Sequence, residues 1–261
     1  MLAIVGKGPS ARRLQSELDC LRFSRNREFL NGRWRSIRHN MPPDHIVHWG
    51  EASNLLALRG VLNREIVSNK LIQLQRFHRS EVPAPLWITS IGGAIAERQW
   101  LIRRQHHQGG TDIQGPYPTT LEVLNALGGT NNYGVEFIDK THEYRVHVFR
   151  GEVIRIARKV WDETKGSQPT SPAWNVNSGY KFRYQLNLRP STREMLGDLA
   201  QRAMVALRMD FGAVDIIGRR SPTNRLSAWV LEVNSAPGIE SNQNTLAAYV
   251  AAIRRWMNEV A

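Results

Sequence analysis

Two apolar runs near the C-terminus carry oxygen donors where a strand tolerates them least. GAVDII sets Asp215 among Ala213, Val214, Ile216 and Ile217, and WVLEVN sets Glu232 and Asn234 on either side of Val233. Both runs are short, apolar and rich in β-branched residues, the pattern of buried strands. A period of two puts Glu232 and Asn234 on one face of their strand. Buried carboxylates in neighbouring strands repel and are costly to desolvate unless positive charge sits between them. An arginine partner meets that need for a lone acid. Three converging oxygen donors followed by the turn SAPGIE favour a hard divalent cation instead, Mg²⁺ above all, with water and phosphate as its remaining ligands.

The rest of the composition fits a folded chain. Its 261 residues are 41% hydrophobic and include eight Trp, which excludes a disordered basic tail and allows one large domain or two small ones. Cys20 is the single cysteine, so there is no disulfide framework and no cysteine zinc site, and a reducing cytoplasm is the expected compartment. The opening MLAIVGKGPSARR has too brief an apolar run for a signal segment and reads as a first buried strand. No run approaches the ~18 apolar residues of a membrane span, so a soluble protein with no membrane partner is expected.

The net charge of +12 comes from 35 Lys and Arg against 23 Asp and Glu, and 29 of the basic residues are Arg. Arg suits planar, bidentate contact with carboxylate or phosphate. The first 40 residues alone carry +6, including the aromatic-basic stretch NREFLNGRWRSIRHN with Arg33, Arg35 and Arg38. That stretch has the composition to stack on bases and pair with phosphates, or to pack Phe29 and Trp34 on the core, or to attract an acidic substrate. It holds no RRM or zinc-finger pattern, so a nucleic-acid partner stays open without being favoured.

Along the chain, Leu2–Val5 and Gly6 to Gly8 read as a parallel strand ending in a glycine turn, with a helix from about Ser10. GKGPS lacks the third glycine of a dinucleotide fingerprint and reads as a tight turn. His45–Trp49 is a second strand. Residues 63–79 have a helical stripe of Ile66, Leu71, Leu74 and Phe77. Short strands at 87–90, 94–97, 100–103 and 133–138 form an antiparallel middle region, and the strands 143–149 and 152–159 flank the turn Arg150-Gly151 as the clearest hairpin. A polar stretch, 162–190, precedes the capping-box signature Ser191-Thr-Arg-Glu194 and a helix with Leu196, Leu199, Ala200, Ala203 and Leu207 on one face. The final helix runs from about Thr245 to Glu259.

GAVDII with LEVNSAPGIE resembles the metal-binding end of the ATP-grasp superfamily, closest in style to ribosomal-protein glutamate ligases and related carboxylate–amine ligases. Other segments match in order over roughly residues 57 to 261. NKLIQLQRFHRSEVPAPLW looks like the helix that leads into the nucleotide-binding strands, with Lys70 at its start. WLIRRQHHQGGTDI resembles the strand and glycine-rich flap over the triphosphate, with Arg103 where the family usually has Lys, and Gln108, Gly109 and Gly110 in the flap. VEFIDKTHEYRVHVFRGEVIRIARK resembles the hinge and hairpin. The resemblance implies Glu136, Phe137 and Ile138 beside adenine, Glu143 near ribose, and Arg145 and Lys159 toward phosphate and substrate. NVNSG resembles the substrate-side loop, which places Asn175 by the metal and phosphates.

What the resemblance implies is an α+β, two-lobed clamp with a small α/β segment ahead of it: 1–56 for that segment, 57–138 for the nucleotide lobe and 139–261 for the metal-binding lobe. It further implies an enzyme that uses ATP and Mg²⁺, two ions with Mn²⁺ as an alternative, to join a carboxylate to an amine through an acyl phosphate. Lys70, Arg103, Arg145 and Lys159 would neutralise the gathered charge, with Asp215, Glu232 and Asn234 holding the metal; no protein nucleophile is needed. Its substrates would be small-molecule or peptide carboxylates and amines. Two other readings stand beside it: a kinase of the same fold, and a basic nucleic-acid-binding module with a regulatory ATP site. Asp210-Phe211-Gly212 spells a protein-kinase metal motif, but the other members of that signature are missing, so it is read as the turn from helix into strand. His106 and His107 lack the spacing of a zinc site.

Overall fold

The computed structural model describes residues 1–24, 43–51, 57, 59–90, 98–105, 113–118, 120–128, 131–239 and 241–260. The expected strand at 94–97, the basic stretch at 26–40 and the flap residues 106–112 lie outside the described residues. Three sheets organise the rest.

The first sheet is parallel, in the order β2 (Leu21–Phe23), β1 (Leu2–Gly6), β3 (His45–Trp49), β4 (Gly60–Leu62). β1 and β3 are buried along their whole length; β1 is a continuous apolar run, whereas β3 buries His45 and His48 among its apolar residues. Helix α1 (Gly8–Leu18) follows β1, with Pro9 in its first turn and Asp19 closing it in the left-handed conformation. The fourth strand is drawn from residues just past position 57.

The second sheet is antiparallel, in the order β5 (Trp87–Ile88), β8 (Asn132–Glu136), β6 (Trp100–Arg104), β7 (Gln114–Tyr117). Two helices accompany it in the chain, α2 (Lys70–Arg79) before β5 and α3 (Thr120–Leu127) before β8. The third sheet, also antiparallel, has five strands in the order β11 (Tyr180–Arg183), β10 (Glu152–Trp161), β9 (His142–Phe149), β12 (Phe211–Arg220), β13 (Leu226–Asn234). The 143–159 hairpin and the strand pair expected at 213–217 and 228–233 therefore form; β9 and β10 are slightly longer than expected, and β12 is ten residues rather than five. α4 (Pro190–Leu207) covers one face of this sheet, packing Leu196, Leu199, Ala203 and Leu207 against Tyr144, Val146, Val214, Ile216 and Val233. α5 (Gln243–Glu259) joins the first sheet to the third through Leu246, Tyr249, Ile253 and Trp256, beside Ile4, Val47, Trp49 and Phe211.

Two helix starts differ from the sequence expectation. Residues 63–69 are not helical; α2 starts at Lys70, where the Asn69 side chain caps the Ile72 amide. Asn63 instead takes a left-handed φ of 56° and is fully buried, because its side chain and amide clamp the start of β12. Its Oδ1 accepts from the Asp210 and Phe211 amides, its Nδ2 donates to the Phe211 carbonyl, and its own amide donates to Asp210 Oδ2. Asp210 is thereby a tie between distant segments, consistent with the reading of Asp210-Phe211-Gly212 as a turn. The second difference is at α4: Pro190 takes the first helical turn and Arg189 the N-cap with no side-chain cap bond, so Ser191 lies inside the helix rather than capping it.

Candidate active site

Period two divides the five-stranded sheet chemically. Tyr144, Val146, Val214 and Ile216 face α4, so Glu143, Arg145, Asp215 and Ile217 face the other way, into a cavity of about 1050 Å³. Its walls come from both antiparallel sheets: Leu101 and Arg103 on β6, Tyr133, Val135 and Glu136 on β8, and five strands of the third sheet opposite. Gly50 and Ala236 close one side. A Cβ on Gly50 would lie 2.7 Å from that of Ala236, and its φ is +81°, so glycine is what lets the first sheet approach this turn.

Every described residue expected at the site lines this one cavity: Lys70, Arg103, Glu136, Phe137, Ile138, Glu143, Arg145, Lys159, Asn175, Asp215, Glu232 and Asn234. Gln108, Gly109 and Gly110 lie outside the described residues.

The floor is built from cross-strand neighbours on three adjacent strands. Asp215 lies opposite Arg145 on β9 and opposite Glu232 on β13, and Ala213 lies opposite Asn234. Arg145 grips Asp215 with both forks, Nε to Oδ1 at 2.7 Å and Nη2 to Oδ2 at 2.8 Å. Asn234 Nδ2 donates to Asp215 Oδ2 at 3.0 Å, and Lys70 Nζ stands 3.5 Å from Glu232. Burial pushes the Asp215 carboxyl up, but the Arg145 guanidinium, with Lys159 and Lys70 behind it, outweighs burial and holds it below the usual carboxylate range. Toward β11, Lys159 and Lys140 both donate to Glu143, one to each carboxylate oxygen. Burial lowers the Lys140 ammonium, and Glu143 opposes that shift. The Phe182 ring lies under Arg145 at 4.5 Å and Lys159 at 5.5 Å, holding both cations on the floor.

The walls are tied from behind. Glu136 pairs with Arg98 and accepts from the Leu86 amide at 3.3 Å, while Phe137 continues the wall with its amide on the Gln99 carbonyl. Asn175 precedes a short 3₁₀ turn, Val176–Ser178, and its side chain makes no capping bond there.

Four residues at or behind the cavity went unread in the sequence. Gln73 reaches across from α2 and pairs with the free edge of β13, Oε1 accepting from the Val233 amide at 2.9 Å and Nε2 donating to its carbonyl at 3.0 Å. It pins the backbone between Glu232 and Asn234. The available signal was a polar residue on the buried stripe of α2, beside Leu74 and in step with Phe77. Lys140, Trp174 and Phe182 also line the cavity; Lys140 sits 4.8 Å over the Trp174 ring, which stacks on Tyr180. They lay in segments whose pairing only the fold reveals.

Mg²⁺ was tested against this donor set. Among the described residues no three His, Cys, Asp or Glu gather into a metal cluster. The converging set is two carboxylates and one amide, Asp215, Glu232 and Asn234, too few to enclose an ion but suited to Mg²⁺, which keeps water and phosphate in its shell. The two carboxylates face each other directly across β12 and β13, and each already has a cationic partner, Arg145 for Asp215 and Lys70 for Glu232.

The fold is that of the ATP-grasp ligases. ATP-grasp ligase PsnB, solved with a minimal precursor, superposes with a TM-score of 0.65 at 14% identity, covering 97% of this chain and 98% of that one. D-alanine–D-alanine ligase from Bacillus anthracis gives 0.62 at 11%, covering 99% of each chain. Macrocyclase MdnC from Microcystis aeruginosa MRC, bound with precursor peptide MdnA, gives 0.61 at 11%, covering 97% and 99%. No protein-family model and no curated protein sequence matches the chain.

Proposed function

We propose that this protein is an ATP- and Mg²⁺-dependent ligase that joins a carboxylate to an amine in the cytoplasm. The observation that carries the reading is the cavity floor, where Arg145, Asp215, Glu232, Asn234 and Lys70 form one contiguous set opposite a second sheet. Residues 1–56 precede the clamp in this reading, with 57–138 and 139–261 as its two lobes.

Leu101, Val135, Phe137 and Ile138 supply an apolar slot for adenine, and Glu143 a carboxylate within reach of ribose hydroxyls. Lys70, Arg103, Arg145 and Lys159 set positive charge where the triphosphate lies, and Asn175 borders the same space. Asp215, Glu232 and Asn234 would hold Mg²⁺, which would supply charge neutralisation to the triphosphate. An oxygen of the substrate carboxylate attacks the γ-phosphorus, and the bond to ADP breaks. The amine then attacks the acyl carbon, phosphate leaves, and the amine proton passes to solvent. Arg145, fixed by Asp215, holds its charge without reorganising as the phosphoryl group moves.

A screen of amino acids, peptides and carrier-linked carboxylates for amine-dependent ADP and phosphate release, read by mass spectrometry for a condensed product, tests the reading. Phosphate kept on an alcohol acceptor would assign kinase action instead. ATP turnover that survives Asp215→Ala with Glu232→Ala would overturn the assignment of the metal site.

A further inference from the structure

On the other face of the same sheet, two arginines confront each other. Arg158 on β10 lies directly opposite Arg183 on β11 and opposite Tyr144 on β9. Like charges in directly opposed positions weaken a sheet. Neither arginine has a carboxylate partner among the described residues, and Arg158 Nε is buried without a hydrogen-bond partner. Arg220, three strands inward on β12, adds positive charge on this face and donates to the Asn224 carbonyl and side chain. Burial, with Arg158 and Arg220 beside it, holds the His142 imidazole down at about 4, so this ring adds no competing acid and no anion. Lys181, on the same side of β11 as Arg183, is half exposed and paired with Asp162 at 2.9 Å.

β11 is also the outermost strand of its sheet. At its start the Tyr180 amide already donates to the Asn175 carbonyl at 3.1 Å, so the edge offers backbone groups to a further strand only from Phe182 onward. Between Lys181 and Arg183, Phe182 points the opposite way into the cavity beneath Arg145 and Lys159. The arginine cluster and the cavity are thus separated by the thickness of one sheet.

We propose that this edge docks an acidic peptide segment in extended conformation, which pairs with β11 from Phe182 onward and sets its carboxylates against Arg183 and, one strand inward, Arg158. Opposed guanidiniums lacking an anion between them match carboxylates on alternate residues of a strand. A nucleic acid fits less well at the ring beside Arg158: Tyr144 is 1% exposed and His142 stacks on it, so that ring offers a base no open face. As an anchor that brings a peptide substrate to the cavity mouth, the site rests on the ligase reading; as a binding site it does not.

The full chain is titrated into a fluorescein-labelled peptide of alternating Glu and Thr, followed by anisotropy, and ADP binding is measured on the same samples by calorimetry. Arg158→Ala with Arg183→Ala should weaken peptide binding about tenfold or more. Removing the same charge at exposed Arg12 and Arg79, as R12A/R79A, should weaken it about twofold or less. Arg183→Glu, an exposed single change, repeats the test if the double variant is poorly folded. Backbone hydrogen exchange over 182–183 should slow in the complex. Equal loss in both double variants, tighter binding of an oligonucleotide of equal charge, or no binding by the unaltered chain would each overturn the proposal; the last would leave these arginines as guards of a bare edge. Peptide binding without ADP binding would instead sink the ligase reading and leave the docking site standing.

Discussion

The two faces of the five-stranded sheet are made by the same strands and obey opposite rules. Toward α4, Val146, Val214 and Ile216 are fully buried against aliphatic neighbours, and their contribution is removal of apolar area from water. Toward the cavity, one residue along each strand, Arg145 and Asp215 form an ion pair with side chains 17% and 8% exposed. A buried pair of this kind adds little over a well-packed apolar pair, yet removing one member strands the other. One face is built for stability, and the other spends stability on placing charge in the cavity proposed to take the nucleotide.

Substitutions can break this contrast in a graded order. Arg145→Ala leaves Asp215 buried without its bidentate partner and should cost about 3–5 kcal/mol in urea unfolding, with nucleotide binding lost as well. Arg145→Ala with Asp215→Ala should recover much of that stability and none of the binding. Ile216→Ala, on the α4 face, should cost about 2–4 kcal/mol with ADP affinity unchanged in the folded fraction. A large loss of affinity there would mean the faces are not independent. Asn63→Ala removes the clamp on Asp210 and Phe211 from a fully buried site and should cost about 1–3 kcal/mol, read as a lowered Tm.

The smallest expected effect is on pH dependence. Burial, reinforced by Arg145, holds the cavity-face His147 at about 3, while its Nδ1 shares a hydrogen bond with the Tyr249 hydroxyl. The unfolded chain takes up that proton near the ordinary value of 6.5, so it binds more protons than the native state below that pH. Stability should therefore fall as pH drops from about 6.5 toward 3, and His147→Gln should flatten that slope in urea midpoints measured across the window. Asp215 acts in a lower range: its depressed carboxyl stabilises the fold above 3.8 and the contribution is lost as pH falls below it. An unchanged slope in His147→Gln would assign the acid sensitivity to the carboxylates and to the other depressed imidazoles, His45, His48 and His142.

Much of this architecture was legible because local pattern and final environment agree. The alternation in 143–149 and 152–159 around Arg150-Gly151 announced a hairpin, and the structure has one. Residues 63–69 misled because their apolar spacing suits a helix, while Asn63 satisfies four hydrogen bonds only in a bent conformation set by a strand some 150 positions later in the chain. Pro190 displaced the expected cap at Ser191 because proline without an amide proton is favoured in the first turn. Tyr180–Arg183 gave no signal within its polar surroundings; its pairing with β10 makes it a strand.

By itself, the sequence determined that Asp215, Glu232 and Asn234 had to lie in neighbouring buried strands facing positive charge, since period two and the cost of burying carboxylates leave little else. The tertiary structure decided which charges those are. Strand order sets Arg145 beside Asp215, α2 brings Lys70 to Glu232 and Gln73 to Val233, and the short edge strand carries Phe182 and Arg183 to opposite faces. The Arg145–Asp215, Gln73–Val233 and Lys70–Glu232 contacts join residues 70, 160 and 162 positions apart, and side-chain periodicity, which reports only on a segment's own faces, carries no record of what those faces will meet.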